Sequence, residues 1–164
     1  MLILGLLSLS AMIADAQPRA AAKKKPRTRS VLYASYLNAR YGYAISYPST
    51  FLRPEPESDN GDGRKFTTSD NSVLLTVWGE NNVTGATLRS LYKGQADAVA
   101  PGRVVSYKVI KPQWFVVSWS ENGRLFYRKT IARKEGFATF ILEYDEGKRG
   151  TFDPMVPAIA ASFR

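Results

Sequence analysis

Residues 104–144 read VVSYKVIKPQWFVVSWSENGRLFYRKTIARKEGFATFILEY, and their patterning decides the fold class. Four β-rich runs, Val104–Ile110, Trp114–Ser120, Leu125–Ala132 and Phe137–Tyr144, are separated by short polar breaks. In the second run Phe115, Val117 and Trp119 share one face by period-two alternation, the spacing of a half-buried strand. Glu121-Asn122-Gly123 tolerates the positive φ that a tight hairpin requires, and Glu135-Gly136 predicts another turn. Short links in succession imply an antiparallel meander, because parallel neighbours need a crossover of a dozen or more residues.

Working outward, Leu88, Leu91, Tyr92, Ala96 and Val99 form an amphipathic stripe. It predicts a helix with Thr84 or Thr87 as N-cap and Pro101-Gly102 as its stop. On the other side Val156, Ile159, Ala160 and Phe163 predict a second helix, with Asp153 as N-cap and Pro154 at the first helical position. Near the start, Tyr43, Ile45 and Tyr47 alternate within a strand over Tyr41–Tyr47 that Pro48 ends. Arg53–Asn60, rich in proline and acid, predicts an exposed loop leading into the turn dipeptides Asn60-Gly61 and Asp62-Gly63. Lys65–Thr68 and Val73–Trp78 then predict strands around a turn at Asp70-Asn71. The order is β-β-β-α-β-β-β-β-α. Each helix needs an apolar partner, so the expected fold is α+β: an antiparallel sheet of about six to seven strands flanked by two helices, an α/β/α sandwich.

The N-terminal residues are of another kind. The apolar run Leu2–Ile13 leads into Ala14-Asp15-Ala16, a small-x-small pattern, and is too short to span a bilayer. It predicts a signal peptide over residues 1–16, although no Lys or Arg precedes the run. Residues 17–30 combine Pro, Ala and basic side chains without periodicity and read as a disordered linker, leaving one domain over residues 31–164. The expected location is therefore exported, periplasmic or secreted. A chain without cysteine forms no disulfide, which suits a bacterial envelope better than a disulfide-stapled secreted scaffold. The whole chain carries +9, yet residues 31–164 hold 17 basic and 13 acidic side chains, a net of only +4. The basic excess lies largely in Lys23, Lys24, Lys25, Arg27 and Arg29, a tether for a polyanion or for peripheral contact with anionic lipid. The plain alternative is a solvated spacer. Nucleic acid is not an expected partner, because the charge is off the domain and export separates the chain from it.

With no His and no Cys, the chain lacks the commonest general base, thiol nucleophiles and nearly all structural zinc sites. Ser90-Leu91-Tyr92-Lys93 matches Ser-x-x-Lys, but no Ser-Asp-Asn or Lys-Thr-Gly element accompanies it, so it reads as helix surface. Asp59 and Asp70 stand at the first and twelfth positions of a calcium-type loop, where Arg64 occupies the place that requires glycine, so turns are expected there. Glu121, Glu143, Asp145 and Glu146 could supply a hydrolytic carboxylate pair, but sequence offers no spacing test. No catalytic, cofactor-binding or metal-ligating residue is assigned. Aromatic residues remain: Trp78, Trp114, Trp119, Tyr127 and Tyr144, on strands that also carry or adjoin Arg124, Arg128 and Arg133. Alternation places Trp119 inside with Phe115 and Val117, and Trp78 and Trp114 on the other face. Trp78, Trp114, Tyr127 and Arg128 are the candidate ligand or partner surface.

The strand Tyr41-Gly42-Tyr43-Ala44-Ile45-Ser46-Tyr47-Pro48, followed by a polar loop, short hairpin strands, a helix, a meander and a C-terminal helix, resembles the PsbP-like fold. That fold is shared by an extrinsic photosystem II subunit, a Ran-binding nuclear import factor and DcrB-type bacterial envelope proteins. The likeness covers about residues 41–164. Gly63-Arg64-Lys65-Phe66 and Phe126-Tyr127-Arg128-Lys129 are similar to elements of small exported bacterial proteins. The resemblance implies a non-enzymatic accessory or binding domain, and the metal-binding His of some photosystem members has no counterpart here. The expected function is an extracytoplasmic protein-interaction domain without cofactor, binding a protein or envelope component. The alternatives are a small-ligand or glycan-binding module using strand aromatics, and a hydrolase without His or Cys.

Overall fold

The computed structural model describes residues 30–164; the signal-peptide reading and Lys23, Lys24, Lys25, Arg27 and Arg29 lie outside the described residues. The elements run β1 (Ala34–Asn38), β2 (Tyr43–Tyr47), β3 (Arg53–Glu57), β4 (Gly63–Thr67), β5 (Val73–Asn81), α1 (Leu88–Ala96), β6 (Val104–Lys111), β7 (Trp114–Glu121), β8 (Arg124–Ala132) and β9 (Gly136–Asp145). A broken helical run closes the chain: a 3₁₀ turn over Glu146–Lys148 leads into α2 (Arg149–Phe152), and a second over Asp153–Met155 joins it to α3 (Val156–Ser162). Seven strands form one antiparallel sheet in the order β3-β4-β5-β9-β8-β7-β6, and β1 and β2 form a separate hairpin. Among the described residues no helix is long and apolar enough to cross a membrane.

The meander over β6–β9 is the predicted one. Asn122 and Gly123 adopt φ of 50° and 75°, the two successive positive values of a tight hairpin turn. Directly paired residues share a face, so Phe115, Thr130, Thr139 and Trp78 lie on one side, and Trp114, Ile131 and Ala138 on the other. On the first side α1 packs Leu88, Leu91, Tyr92 and Ala96 against Phe115, Val117 and Trp119. On the second side the β1–β2 hairpin and α2–α3 enclose the main core, centred on Phe66, Leu75, Val77, Phe140, Leu142, Ile159 and Phe163. The backbone of Arg164 exchanges hydrogen bonds with Ala44 at 2.8 and 3.1 Å, so the chain end runs alongside β2.

Several local expectations give way to tertiary context. Arg53–Glu57 is a strand rather than a loop. It sits at the sheet edge, where Pro54 and Pro56, two apart, can both turn the side without an N–H toward solvent. β1 carries no apolar alternation because its pattern is inverted: Leu37 is 69% exposed while Asn38 is 2% exposed. Asn38 is tolerated inside because its Nδ2 donates to the Tyr36 hydroxyl and the Gly61 carbonyl, both at 3.0 Å. The strand with Tyr43, Ile45 and Tyr47 pairs with β1 and stands outside the large sheet. Helix α1 starts after Thr87 and ends at Ala96, leaving Val99 97% exposed beyond it. Asp153 does not cap α3. It has helical φ and ψ, and its carboxylate accepts the Tyr144 hydroxyl at 2.5 Å.

Buried tyrosines tie hairpin, sheet and helices together. The Tyr43 hydroxyl donates to the Asp62 carbonyl at 2.9 Å, and burial first of all pushes its pKa far above the usual value. Burial, with the bond to Asp153, raises Tyr144 likewise. An unfolded tyrosine ionises near pH 10. Above that pH the unfolded chain has lost protons that the native state retains, so stability present below pH 10 is lost as pH rises toward the raised native values. Thermal unfolding followed by circular dichroism is expected to show a steep fall in Tm above about pH 10. Tyr43→Phe should flatten that fall, and an unchanged slope would show that Tyr43 ionises normally.

Candidate functional site

The predicted quartet divides between the two faces of the sheet. Trp78 and Arg128 lie together on the α1 face, where the Arg128 guanidinium carbon sits 5.7 Å from the Trp78 ring centroid and 6.0 Å from that of Phe115. Trp78 therefore shares the face of Trp119 rather than opposing it, because the β5–β9–β8–β7 register brings both to the same side. Trp114 and Tyr127 lie on the opposite face. Trp114 packs beside the main core with the Lys129 ammonium 5.5 Å from its ring, and Tyr127 stacks on Phe140 at 5.9 Å. Lys129 is itself committed, since its Nζ donates to the Ala160 carbonyl at 2.6 Å near the end of α3. As expected, Trp119 is interior, stacked on Phe126 at 4.8 Å and 4° between planes.

On the first face α1 is short and covers β6 and β7, while Leu74, Thr76 and Trp78 of β5 and Ile141 and Glu143 of β9 remain partly exposed. Beside Trp78 this face opens into a hollow of about 340 Å³ bounded by Glu55, Pro56, Lys65 and Thr76. Arg128 is the unusual group. Its burial lowers the guanidinium pKa, Glu80 opposes that shift, and its one side-chain hydrogen bond among the described residues runs from Nε to the Thr130 hydroxyl at 3.3 Å. Most of its five donors are thus unspent against the described residues, next to an indole face.

On the opposite face a groove of about 390 Å³ runs between β6–β8 and the C-terminal helices. Tyr107, Ser118, Ser120, Tyr127 and Tyr144 line it from the sheet, and Arg149, Asp153 and Val156 from the helices. Sequence reading placed Tyr127 in a candidate surface but missed Tyr107, Ser118 and Ser120. The period-two alternation of Ser118 and Ser120 opposite the interior Phe115, Val117 and Trp119 was the available signal.

The remaining polar motifs are engaged in structure. Ser90 belongs to the capping box of α1: its hydroxyl accepts the Thr87 N–H at 3.0 Å, and the Thr87 hydroxyl accepts the Ser90 N–H at 3.0 Å. Asp59 and Asp70 sit in turns at opposite ends of β4. Asp70 accepts from the Thr68 and Ser72 hydroxyls and from Lys148, and these bonds hold its carboxyl well below the usual carboxylate range. Asp145 and Glu143 both pair with Arg124, Glu121 with Arg103, and Glu146 with Arg149. Among the described residues no group of three or more acidic side chains is placed to hold a metal ion.

No family model matches the chain, and no curated protein matches its sequence. Among solved structures the chain is similar to the solution structure of cyanobacterial PsbP (CyanoP) from Synechocystis sp. PCC 6803, with a TM-score of 0.57 and 16% identity, covering 87% of this chain and 98% of that one. The fold is PsbP-like, an α+β sandwich as the sequence resemblance implied, and at this identity the likeness extends to the fold alone.

Proposed function

We propose that the protein is a non-enzymatic, extracytoplasmic accessory domain that binds a protein or envelope partner through the uncovered part of its sheet. The observation that carries this reading is the Trp78–Arg128 pair: a partly sunken guanidinium with donors unspent against the described residues, framed by an indole, with partly exposed Ile141 paired directly to Arg128 and partly exposed Leu74 further along the same face. Tryptophan and arginine dominate the energetics of protein interfaces when they sit in desolvated pockets. A partner carboxylate or backbone carbonyl would complete the hydrogen bonding of Arg128, and its apolar surface would cover Leu74 and Ile141. The N-terminal apolar run and the absence of cysteine support the extracytoplasmic setting. The engagement of Ser90 in a helix cap and of Glu121, Glu143, Asp145 and Glu146 in ion pairs supports a binding rather than a hydrolytic role.

Cross-linking in the native cells, with the full chain and its Trp78→Ala and Arg128→Ala variants, tests the reading. Each substitution is expected to weaken capture of the partner by about tenfold or more, a loss of at least about 1.4 kcal/mol in binding. Circular dichroism of each variant confirms that the sheet persists. Capture that survives both substitutions but disappears when residues 17–30 are removed would overturn the proposal and move binding to the basic linker.

A further inference from the structure

The groove on the opposite face has the makings of a second site, independent of Trp78 and Arg128. We infer that it binds a neutral saccharide ring, seated against Tyr107 and hydrogen-bonded by Ser118, Ser120 and Tyr127. Its volume of about 390 Å³ lies within the range of small-molecule sites, roughly 300–1,000 Å³. The charge of the lining argues for a neutral ligand. Arg149, the basic residue of the groove, lies 3.6 Å from Glu146 and 3.7 Å from Asp153, so an anion would have to compete with two carboxylates for it. A cation is equally disfavoured, because Asp153 is already occupied by Arg149 and by the Tyr144 hydroxyl.

The polar groups that remain are hydroxyls. Ser118 and Ser120 project from β7 on the face of Tyr127, since Ser118 pairs with Tyr127 and Ser120 with Leu125. The Tyr127 hydroxyl is pushed up to about 12 by burial and, secondarily, by the neighbouring Tyr107, and no hydrogen-bonding group among the described residues acts on it. It therefore stays protonated at neutral pH and is free to donate and accept. Hydroxyl groups match ligand hydroxyls because both donate and accept, whereas an apolar molecule of the same size would leave them unpaired at a cost. Tyr107 completes the match: it is 54% exposed on the edge strand β6, a large aromatic surface beside the polar floor. The C–H face of a pyranose can lie on such a ring while its equatorial hydroxyls reach the serines.

The test is an NMR titration of the ¹⁵N-labelled full chain with three neutral probes: maltotetraose, cellotetraose and chitotetraose. At least one is expected to give saturable amide shifts confined to β6–β8 and the α2–α3 run, with Tyr107→Ala weakening that binding about tenfold or more. Trp78→Ala should leave it unchanged, which separates this site from the interface proposed above. Because Tyr107 is exposed, its variant should keep the dispersed spectrum of the folded chain, and Ser120→Ala provides a second lesion with little structural consequence. Absence of shifts with all three probes at about 10 mM, shifts that survive Tyr107→Ala, or shifts centred on Trp78 and Arg128 would each overturn the inference.

Discussion

Phe140→Ala is expected to lower the unfolding free energy by about 3–5 kcal/mol, the cost of removing a large aromatic side chain from a packed interior. Phe140 lies in β9, the central strand of the seven-stranded sheet, and is fully buried. Its ring stands edge-to-face with Phe163 at 5.1 Å and stacks with Tyr127 at 5.9 Å, so it joins the sheet to the segment that follows α3. The neighbours cannot collapse into the void without moving a β-ladder on either side. For a domain with a typical stability of about 5–15 kcal/mol, such a loss consumes about a fifth or more of the total. Urea unfolding should show a lower midpoint with an unchanged slope. Phe163→Ala should be less than additive with it, because the two rings share one contact. A cost below about 1 kcal/mol, or full additivity, would show that the chain end does not pack on the sheet.

Arg103→Ala is expected to cost about 2–4 kcal/mol, although Arg103 lines neither candidate surface. The side chain is only 8% exposed, and its guanidinium carbon lies 4.0 Å from the Trp119 ring centroid. Nη2 donates to the Gln95 carbonyl at 2.9 Å at the end of α1, while Nη1 lies 3.9 Å from Glu121. One guanidinium thus satisfies a helix-end carbonyl, favours the negative end of the helix dipole and holds the helix over the indole. A charge-assisted hydrogen bond contributes about 1.5–3 kcal/mol and a sheltered cation–π contact about 0.5–2, partly offset by desolvation of the cation. Arg103→Met, which keeps the aliphatic stem, should recover part of the loss. Amide exchange should accelerate in α1 before it does in β9. Uniform acceleration, or a cost within about 0.5 kcal/mol, would mean that α1 is held by its apolar stripe alone.

The contrast between α1 and the two faces of the sheet shows how far the sequence could be read. The stripe Leu88, Leu91, Tyr92 and Ala96 announces a helix with one buried side, and Thr84 or Thr87 offers its start, of which the structure uses Thr87. Nothing in that stripe says that the helix covers β6 and β7 and leaves Trp78 uncovered. The same limit split the candidate quartet. Alternation within β7 correctly separated Trp114 from Trp119, but assigning Trp78 requires the register of β5 against β9. That register joins segments about sixty residues apart and is set by which side chains meet in the core.

Sequence by itself determined the meander, the Asn122-Gly123 hairpin, the apolar stripes of both helices and the absence of histidine and thiol chemistry. These follow from period-two and helical spacing, from the backbone freedom of particular residues and from composition, all of which act over a few residues. Tertiary structure alone decided that Arg53–Glu57 is an edge strand, that Asn38 is interior while Leu37 is exposed, and that Tyr107, Ser118, Ser120 and Tyr127 share one groove. Burial belongs to a surface assembled from distant segments. A proline-rich strand can pair where one edge is free, and an asparagine can be interior where distant groups satisfy it.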